Sequence, residues 1–545
     1  MTVTTTAAPV RSGDRIGRGT RRPPRGLTLA AVVIGVLFTG PLAYVVAQNI
    51  RHGADLPSIL WNEDTIHPLL RSLGLATAVS VTAAAIGTGL AWLVTRTDVY
   101  GRRFFAVLAP LPLVFPSFVG ATALISGFAT GGLLDDLVRP IGIRLPELAG
   151  FGGAWLVLTL FTYPYVYLPV AARLRHLSRS VEESARLLGR RPGSVFVTVV
   201  LPQISTAVSA GTLLVFLYTI SDFGAVQLLR YDTVTRAIFA NQLADQATSF
   251  ALALLLALVA LVVVIAEQRL VRRHPPATAR SPGRGQQNGL GRWRAPATVL
   301  AGGFLSLALV GPIASLLQWV IVGARSERTS GATALDGTGL GQAVVNTVAV
   351  SAAAAVLTVL IVLPIAYLTS RYRGRIGPAA SATVVAGFAL PGIVFGLAFV
   401  FGVLHTTRLA GLYQTLPLLI LAYVIHFGAQ SMRASSVAVT AVPSRLEDAA
   451  RTLGAGRARR LLTVEAPIMA PGLLAAGGLV LLSTMKELPA TLFLRPTGFD
   501  TLATRIWSSM ENVGYAQAGL DSLVLLAVSA VLTWLLVIRA TEALD

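Results

Sequence analysis

The sequence predicts an all-α polytopic membrane protein, with twelve transmembrane helices as two parallel six-helix repeats. Its 545 residues are 54% hydrophobic and 13% charged, against about 25% charged in soluble domains. Its apolar runs are continuous and reach the roughly 20 residues a spanning helix needs; barrel strands are shorter and alternate. A polar segment also occurs twice in this apolar chain. It reads Glu-Glu-Ser-Ala-Arg-Leu-Leu-Gly from Glu182 to Gly189, and Glu-Asp-Ala-Ala-Arg-Thr-Leu-Gly from Glu447 to Gly454. The copies are 265 residues apart (447 − 182), and the same offset joins Pro202 to Pro467, Asp222 to Glu487 and Arg230 to Arg495.

In chain order, residues 1–26 form a polar tail with six arginines. The apolar run from Leu27 to Ala47 is longer than a signal-peptide core and reads as a first span. The first repeat covers 27–266, with spans near 27–49, 72–95, 104–128, 153–172, 196–220 and 248–266. Residues 267–296, rich in Arg, Pro, Gly and Gln, read as a linker. The second repeat covers 297–545, with spans near 297–322, 344–369, 379–404, 412–431, 467–485 and 518–538. Further landmarks repeat: Leu113-Val-Phe-Pro116 corresponds to Phe388-Ala-Leu-Pro391, and Gly101-Arg102 to Gly374-Arg375. Pro112, Pro116 and Pro391 are expected to kink the third and ninth spans.

Six spans per half give both halves the same orientation, so the repeat is parallel and not inverted. Loop charge sets the direction. With the N-terminus inside, the inner segments hold 32 of the 44 Lys and Arg residues, the asymmetry of cytoplasmic loops. Both termini and both polar segments are then cytoplasmic. The net charge of +19 reads as inner-loop charge facing a lipid bilayer, with no nucleic-acid partner implied.

The duplicated segment lies near 179–194 and 443–460, after the fourth span of each half. Its residues favour a short helix with acids in the first turn, where the helix dipole stabilises them. Gly189 and Gly454 can end that helix, and Pro202 and Pro467 fit the first turn of the following span. Several chemistries are excluded. The chain has no cysteine, and its six histidines show no zinc-binding spacing. The one lysine, Lys486, sits in Thr-Met-Lys-Glu, without the glycine loop of a phosphate-binding site. The chain is therefore expected to be no enzyme, to hold no cofactor and to hydrolyse no ATP itself.

The pattern E-x-A-A-x-x-x-G, followed by Leu201-Pro202 or Ala466-Pro467, resembles the coupling loop of binding-protein-dependent ABC importer permeases. Tyr163-Pro-Tyr-Val-Tyr-Leu168, Ser221-Asp-Phe-Gly224, Lys486-Glu-Leu-Pro-Ala-Thr491 and Phe499-Asp-Thr-Leu-Ala-Thr504 resemble the fused, two-repeat permeases of ferric-iron importers. The first copy departs from the pattern with Ser184 in place of alanine. The resemblance implies a type I importer permease fold in a bacterial cytoplasmic membrane. It implies two copies of a separate ATPase, which uses the ATP, and an extracytoplasmic substrate-binding protein. Glu182, Glu183, Ala185, Gly189, Glu447, Asp448, Ala450 and Gly454 would then contact the ATPase. Thiamine, polyamine and phosphonate permeases are related, so the motifs leave the substrate open.

Ionisable groups at membrane depth are costly and point to function. Asp222 and the Lys486–Glu487 pair fall at the outer ends of equivalent spans, as a candidate gate or transient cation site, or as interfacial groups. Ferric iron is a hard cation that prefers carboxylate and phenolate oxygen, so Tyr163, Tyr167 and Tyr423 are candidates to line a path. Tyr165 points away from the face that Tyr163 and Tyr167 share. Lys486 is expected to neutralise Glu487 when no cation is bound; whether a metal site exists is left open. A secondary transporter with two parallel six-helix halves is the alternative reading, but it gives the duplicated segment no purpose. A membrane-embedded enzyme would need a catalytic cluster that the sequence does not offer.

Overall fold

The structure, a computed structural model, describes residues 23–53, 56–177, 182, 184–185, 187–190, 192–273, 289–326, 331–387 and 390–535. Most of the basic tail, the middle of the linker, Glu183 and Phe388-Ala389 lie outside them. Among the described residues the fold is helical, with no strand.

Among the described residues nine helices are long and apolar enough to cross a membrane, and two bent helix pairs bring the number to eleven. The first half supplies α1 (Arg25–Arg51), α2 (Glu63–Arg96), α3 (Arg102–Val114 and Ser117–Phe128), α4 (Gly150–Arg175), α5 (Phe196–Ser221) and α6 (Gln246–Ala266). The second supplies α7 (Gly291–Ala324), α8 (Leu340–Arg371), α9 (Ile376–Gly387 and Gly392–Leu404), α10 (Leu416–Ala441), α11 (Arg457–Thr484) and α12 (Tyr515–Thr533). At 26 residues α10 equals its counterpart α4 in length. His426, Gln430 and Arg433 interrupt its apolar run, which keeps it outside the eleven.

The prolines of α3 and α9 do more than kink them. The two limbs of α3 meet at 101° and those of α9 at 103°. Pro116 caps the second limb of α3 in extended backbone, with Phe115 before it also extended. A residue preceding proline is driven out of the helical region, so the span breaks instead of bending. Pro202 and Pro467 sit, as expected, in the first turn of the α-helical stretches Leu201–Ser221 and Ala466–Thr484, but α5 and α11 as a whole start about two to three turns earlier. A π turn precedes each proline, at Phe196–Val200 and Leu461–Glu465. Proline lacks the amide and clashes with the carbonyl four residues back; widening the preceding turn relieves both. Pro312 in α7 follows a third such turn, Ser306–Val310.

Each half is built on a three-helix bundle, α2 with α4 and α5, and α8 with α10 and α11. Small residues allow the close approach that packing in lipid requires. A side chain at Gly211 would lie 2.7 Å from the Tyr165 carbonyl oxygen, and one at Gly87 2.9 Å from that of Tyr163. The first helix of each half reaches across to the other: α1 packs on α8 and α9, and α7 on the second limb of α3. The halves are thereby interlocked beyond their covalent linker.

Candidate functional site

The duplicated segment folds the same way in both halves. Ser444–Thr452 forms a helix with Glu447 in its first turn; in the first half Glu182, Ser184, Ala185 and Leu187 are helical. Gly189 and Gly454 end the helices in left-handed backbone, each with φ +79°. Behind each glycine an amide reaches five residues back, Arg190 to the Ala185 carbonyl at 3.2 Å and Ala455 to that of Ala450 at 3.0 Å. This C-terminal closure satisfies carbonyls the helix leaves open and favours glycine at the left-handed position.

An arginine that the sequence reading missed anchors each segment. Arg96, the last residue of α2, pairs with Glu182 at 3.2 Å, with both side chains buried. Arg371, the last residue of α8, pairs with Glu447 at 3.2 Å. The arginines also close the end of the preceding span. Arg96 Nη2 donates to the carbonyl of Leu174 at 2.6 Å, and Arg371 Nη2 to those of Val439 and Val442 at 2.8 and 2.7 Å. Leu174 and Val439 are again 265 apart (439 − 174), so one clamp is built twice. Burial pushes the Glu447 carboxyl above its usual range; the Arg371 guanidinium opposes that shift and the nearby Glu465 adds to it.

The clamp turns the glutamates inward and leaves the segment's tip outside. Leu188 is 82% exposed and its counterpart Leu453 87%. Ala185 is buried, Ala450 half-buried, and Asp448 is exposed beside Arg451. Two apolar knobs are thus presented at equivalent points of the two halves. The repeat of leucine before glycine was the available sequence signal. No local pattern marked the arginines, which lie 86 residues (182 − 96) and 76 residues (447 − 371) from their partners.

At the opposite ends of α5 and α11 the ionisable groups serve as helix caps. Asp222 accepts the amides of Ala225 and Val226 at 3.0 and 3.3 Å, at the start of the short helix Gly224–Leu228. Glu487 accepts the amide of Ala490 at 3.1 Å, at the start of Pro489–Leu494. The two short helices approach each other, since a side chain at Gly224 would lie 3.3 Å from Leu488. Phe223 stacks on Trp507 with centroids 5.4 Å apart. Among the described residues Lys486 makes no ion pair with Glu487 or any other carboxylate, against the expected neutralising role. No group of three or more His, Asp or Glu side chains among them could hold a metal ion. Tyr163 donates to the Ala109 carbonyl at 2.6 Å, and Tyr423 lies 2.5 Å from the Thr491 hydroxyl. Both, like Tyr167, are fully buried in this conformation.

The sequence profile of the inner-membrane component of binding-protein-dependent transport systems matches this chain twice, over residues 82–274 and 362–543. Each match contains one clamped segment. The chain belongs to this family of ABC importer permeases. A relative from Haemophilus influenzae, the Fe(3+)-transport system permease protein FbpB 2, is 30% identical over 95% of this chain and 98% of its own length. The molybdenum transport system permease protein ModB of Mycobacterium tuberculosis is 29% identical over 44% of this chain and 92% of its own. The sulfate transport system permease protein CysT of Escherichia coli is 27% identical over 38% of this chain and 76% of its own. The family is one of transport subunits that work with a substrate-binding protein and an ATPase, and its members lie in the inner membrane.

Proposed function

We propose that this chain is the complete membrane pathway of an ATP-driven ferric-iron importer. Two copies of one ATPase dock on the clamped segments at the cytoplasmic face, and a binding protein delivers the metal at the other. The observation that carries the substrate is the span of the iron-permease relative, which matches 95% of the chain and so both halves. The molybdenum and sulfate relatives match less than half of the chain. Glu182 and Glu447 orient the segments, while Leu188, Leu453 and the adjoining helix surface meet the ATPase. ATP-driven movement of these segments passes through the clamps into α2 and α8, and the bundles switch between outward- and inward-facing arrangements. The packed short helices around Phe223 and Leu488 close the outer side in the conformation described.

Uptake of radioactive iron tests this reading in cells lacking other iron importers and expressing the chain with its neighbouring ATPase and binding protein. Saturable uptake that excess molybdate, sulfate, putrescine or thiamine leaves unchanged is expected. Uptake of one of those solutes in place of iron would refute the substrate and leave the permease standing. Reporters fused after Arg191 and Arg459 should read cytoplasmic and one near Ala334 external. An external signal at either segment would put it beyond reach of a cytosolic ATPase.

A further inference from the structure

The two clamps are alike, but the structure beside them is not. In the second half Glu465, in the π turn of α11, is buried and accepts from one residue of α8 and one of the first turn of α11. Tyr367 of α8 donates its hydroxyl to Oε2 at 2.8 Å, and Arg460 donates Nε–H to Oε1 at 3.0 Å. Tyr367 stands one turn before Arg371 on the same helix, so the triad and the clamp share a scaffold. Together Tyr367, Arg371, Glu447, Arg460 and Glu465 tie the docking segment, the start of α11 and the end of α8 into one charged cluster. The equivalent first-half positions are apolar. Trp92 stands for Tyr367 by the 275-residue offset of the clamp arginines (371 − 96), and Val195 and Val200 stand for Arg460 and Glu465. Val195 and Val200 are buried, and Trp92 packs edge-on against Phe196 at 5.7 Å. Apolar contacts slide with little directional cost, whereas a buried charged network is satisfied in one geometry and costly in others.

We propose that Tyr367, Arg460 and Glu465 are positioning residues that gear the second docking segment rigidly to α8 and α11, making the two ATPase contacts of this importer mechanically unequal. The inference rests on the proposed ATPase docking for its consequence, but not for its geometry. The absence of cysteine allows each geometry to be read with engineered spin labels in the full chain. One pair, Leu453→Cys with Ile376→Cys, reports the second half; Leu188→Cys with Arg103→Cys reports the first. In lipid nanodiscs without ATPase, the second-half pair should give the narrower distance distribution. Glu465→Gln should widen it to the first-half width, and Tyr367→Phe should widen it less. Val200→Ala should leave the first-half distribution unchanged. Equal widths in the unaltered halves, or no widening with Glu465→Gln, would overturn the proposal. If Glu465→Gln does not fold, Tyr367→Phe decides by the same reading, because it keeps the ion pair and removes one hydrogen bond. With ATPase and binding protein added, Glu465→Gln should lower the stimulation of ATP hydrolysis by about tenfold, within the range of coupling between distant sites. ATPase retention should be normal and Val200→Ala without effect. A merely structural role would lower retention and stimulation together, which counts against the proposal. Failure of the unaltered chain to retain any ATPase would refute the docking reading and leave the spin-label result standing.

Discussion

The two ends of the molecule treat their internal symmetry differently. At the docking face, the arginine, glutamate, turn glycine, exposed leucine and even the carbonyl acceptors recur with the same roles. At the other ends of α5 and α11 the capping carboxylate, its short helix and one hydrogen bond, from Val234 to Ser72 and from Leu502 to Thr347, recur, but the side chains packed around them differ. Tyr165 packs on Tyr218 with centroids 5.7 Å apart in the first half. At the equivalent second-half positions Ser483 donates to Gln430 at 2.8 Å. Ser117 in the first half is replaced by Gly392 in the second, where a Cβ would lie 2.7 Å from the end of the Glu487 side chain. In the proposed function, two copies of one ATPase require the same contact twice. A single solute on the axis meets both halves at once, and no physical requirement makes the halves alike there.

Breaking a clamp should have the largest effect. Removing one partner of a buried ion pair typically costs about 3–5 kcal/mol, so Arg96→Ala and Arg371→Ala should each abolish ATPase retention and lower the unfolding temperature. Pull-down and thermal melts check both. Loss in one variant only would break the equivalence of the two docking segments. Next come Gly189→Val and Gly454→Val. Left-handed backbone costs a branched residue about 1–2 kcal/mol, enough to distort the turn while the membrane helices stay folded. Transport should fall with expression unchanged, and wild-type transport by the double variant would sink the prediction.

The caps test the other end. Asn can still accept the amides that Asp222 accepts, and Gln those at Glu487, whereas alanine at a cap costs about 0.5–2 kcal/mol. If capping is their role, Asp222→Asn with Glu487→Gln should transport normally, while the double alanine variant should melt earlier. If they hold a cation in transit, the amide pair should lose iron uptake and keep its melting temperature. Uptake at limiting iron separates the two. The smallest effect concerns pH. The raised Glu447 carboxyl holds its proton more tightly folded than unfolded. Its contribution to stability is therefore full below the unfolded value and declines as pH rises through the folded one. Glu447→Gln should flatten that stretch of the pH–stability curve, measured by thermal melts from the ordinary carboxylate range upward. A slope left unchanged would assign it to another group.

Much of this is legible in the chain itself. Transfer of an apolar run into lipid depends on that run alone, so the spans are readable from hydropathy, apart from the breaks in α3 and α9 and the polar interruptions of α10. A left-handed turn is a preference of one residue type, so the sequence suffices to place turns at Gly189 and Gly454. The duplication follows from register. Tertiary structure decides which groups meet. Whether Glu182 faces solvent or Arg96 depends on how α2 packs against α4, and no local preference encodes that. The same holds for Glu465, which reads as an ordinary helix-start acid until Tyr367 and Arg460 close around it, and for Asp222 and Glu487, whose carboxylates turn to the amides of short helices. Prolines announce irregular backbone in α3, α5, α9 and α11. Whether each becomes a break or a π turn is set by what the surrounding helices can accommodate, because a proline specifies a missing donor and a steric clash, and the neighbouring packing selects how they are relieved.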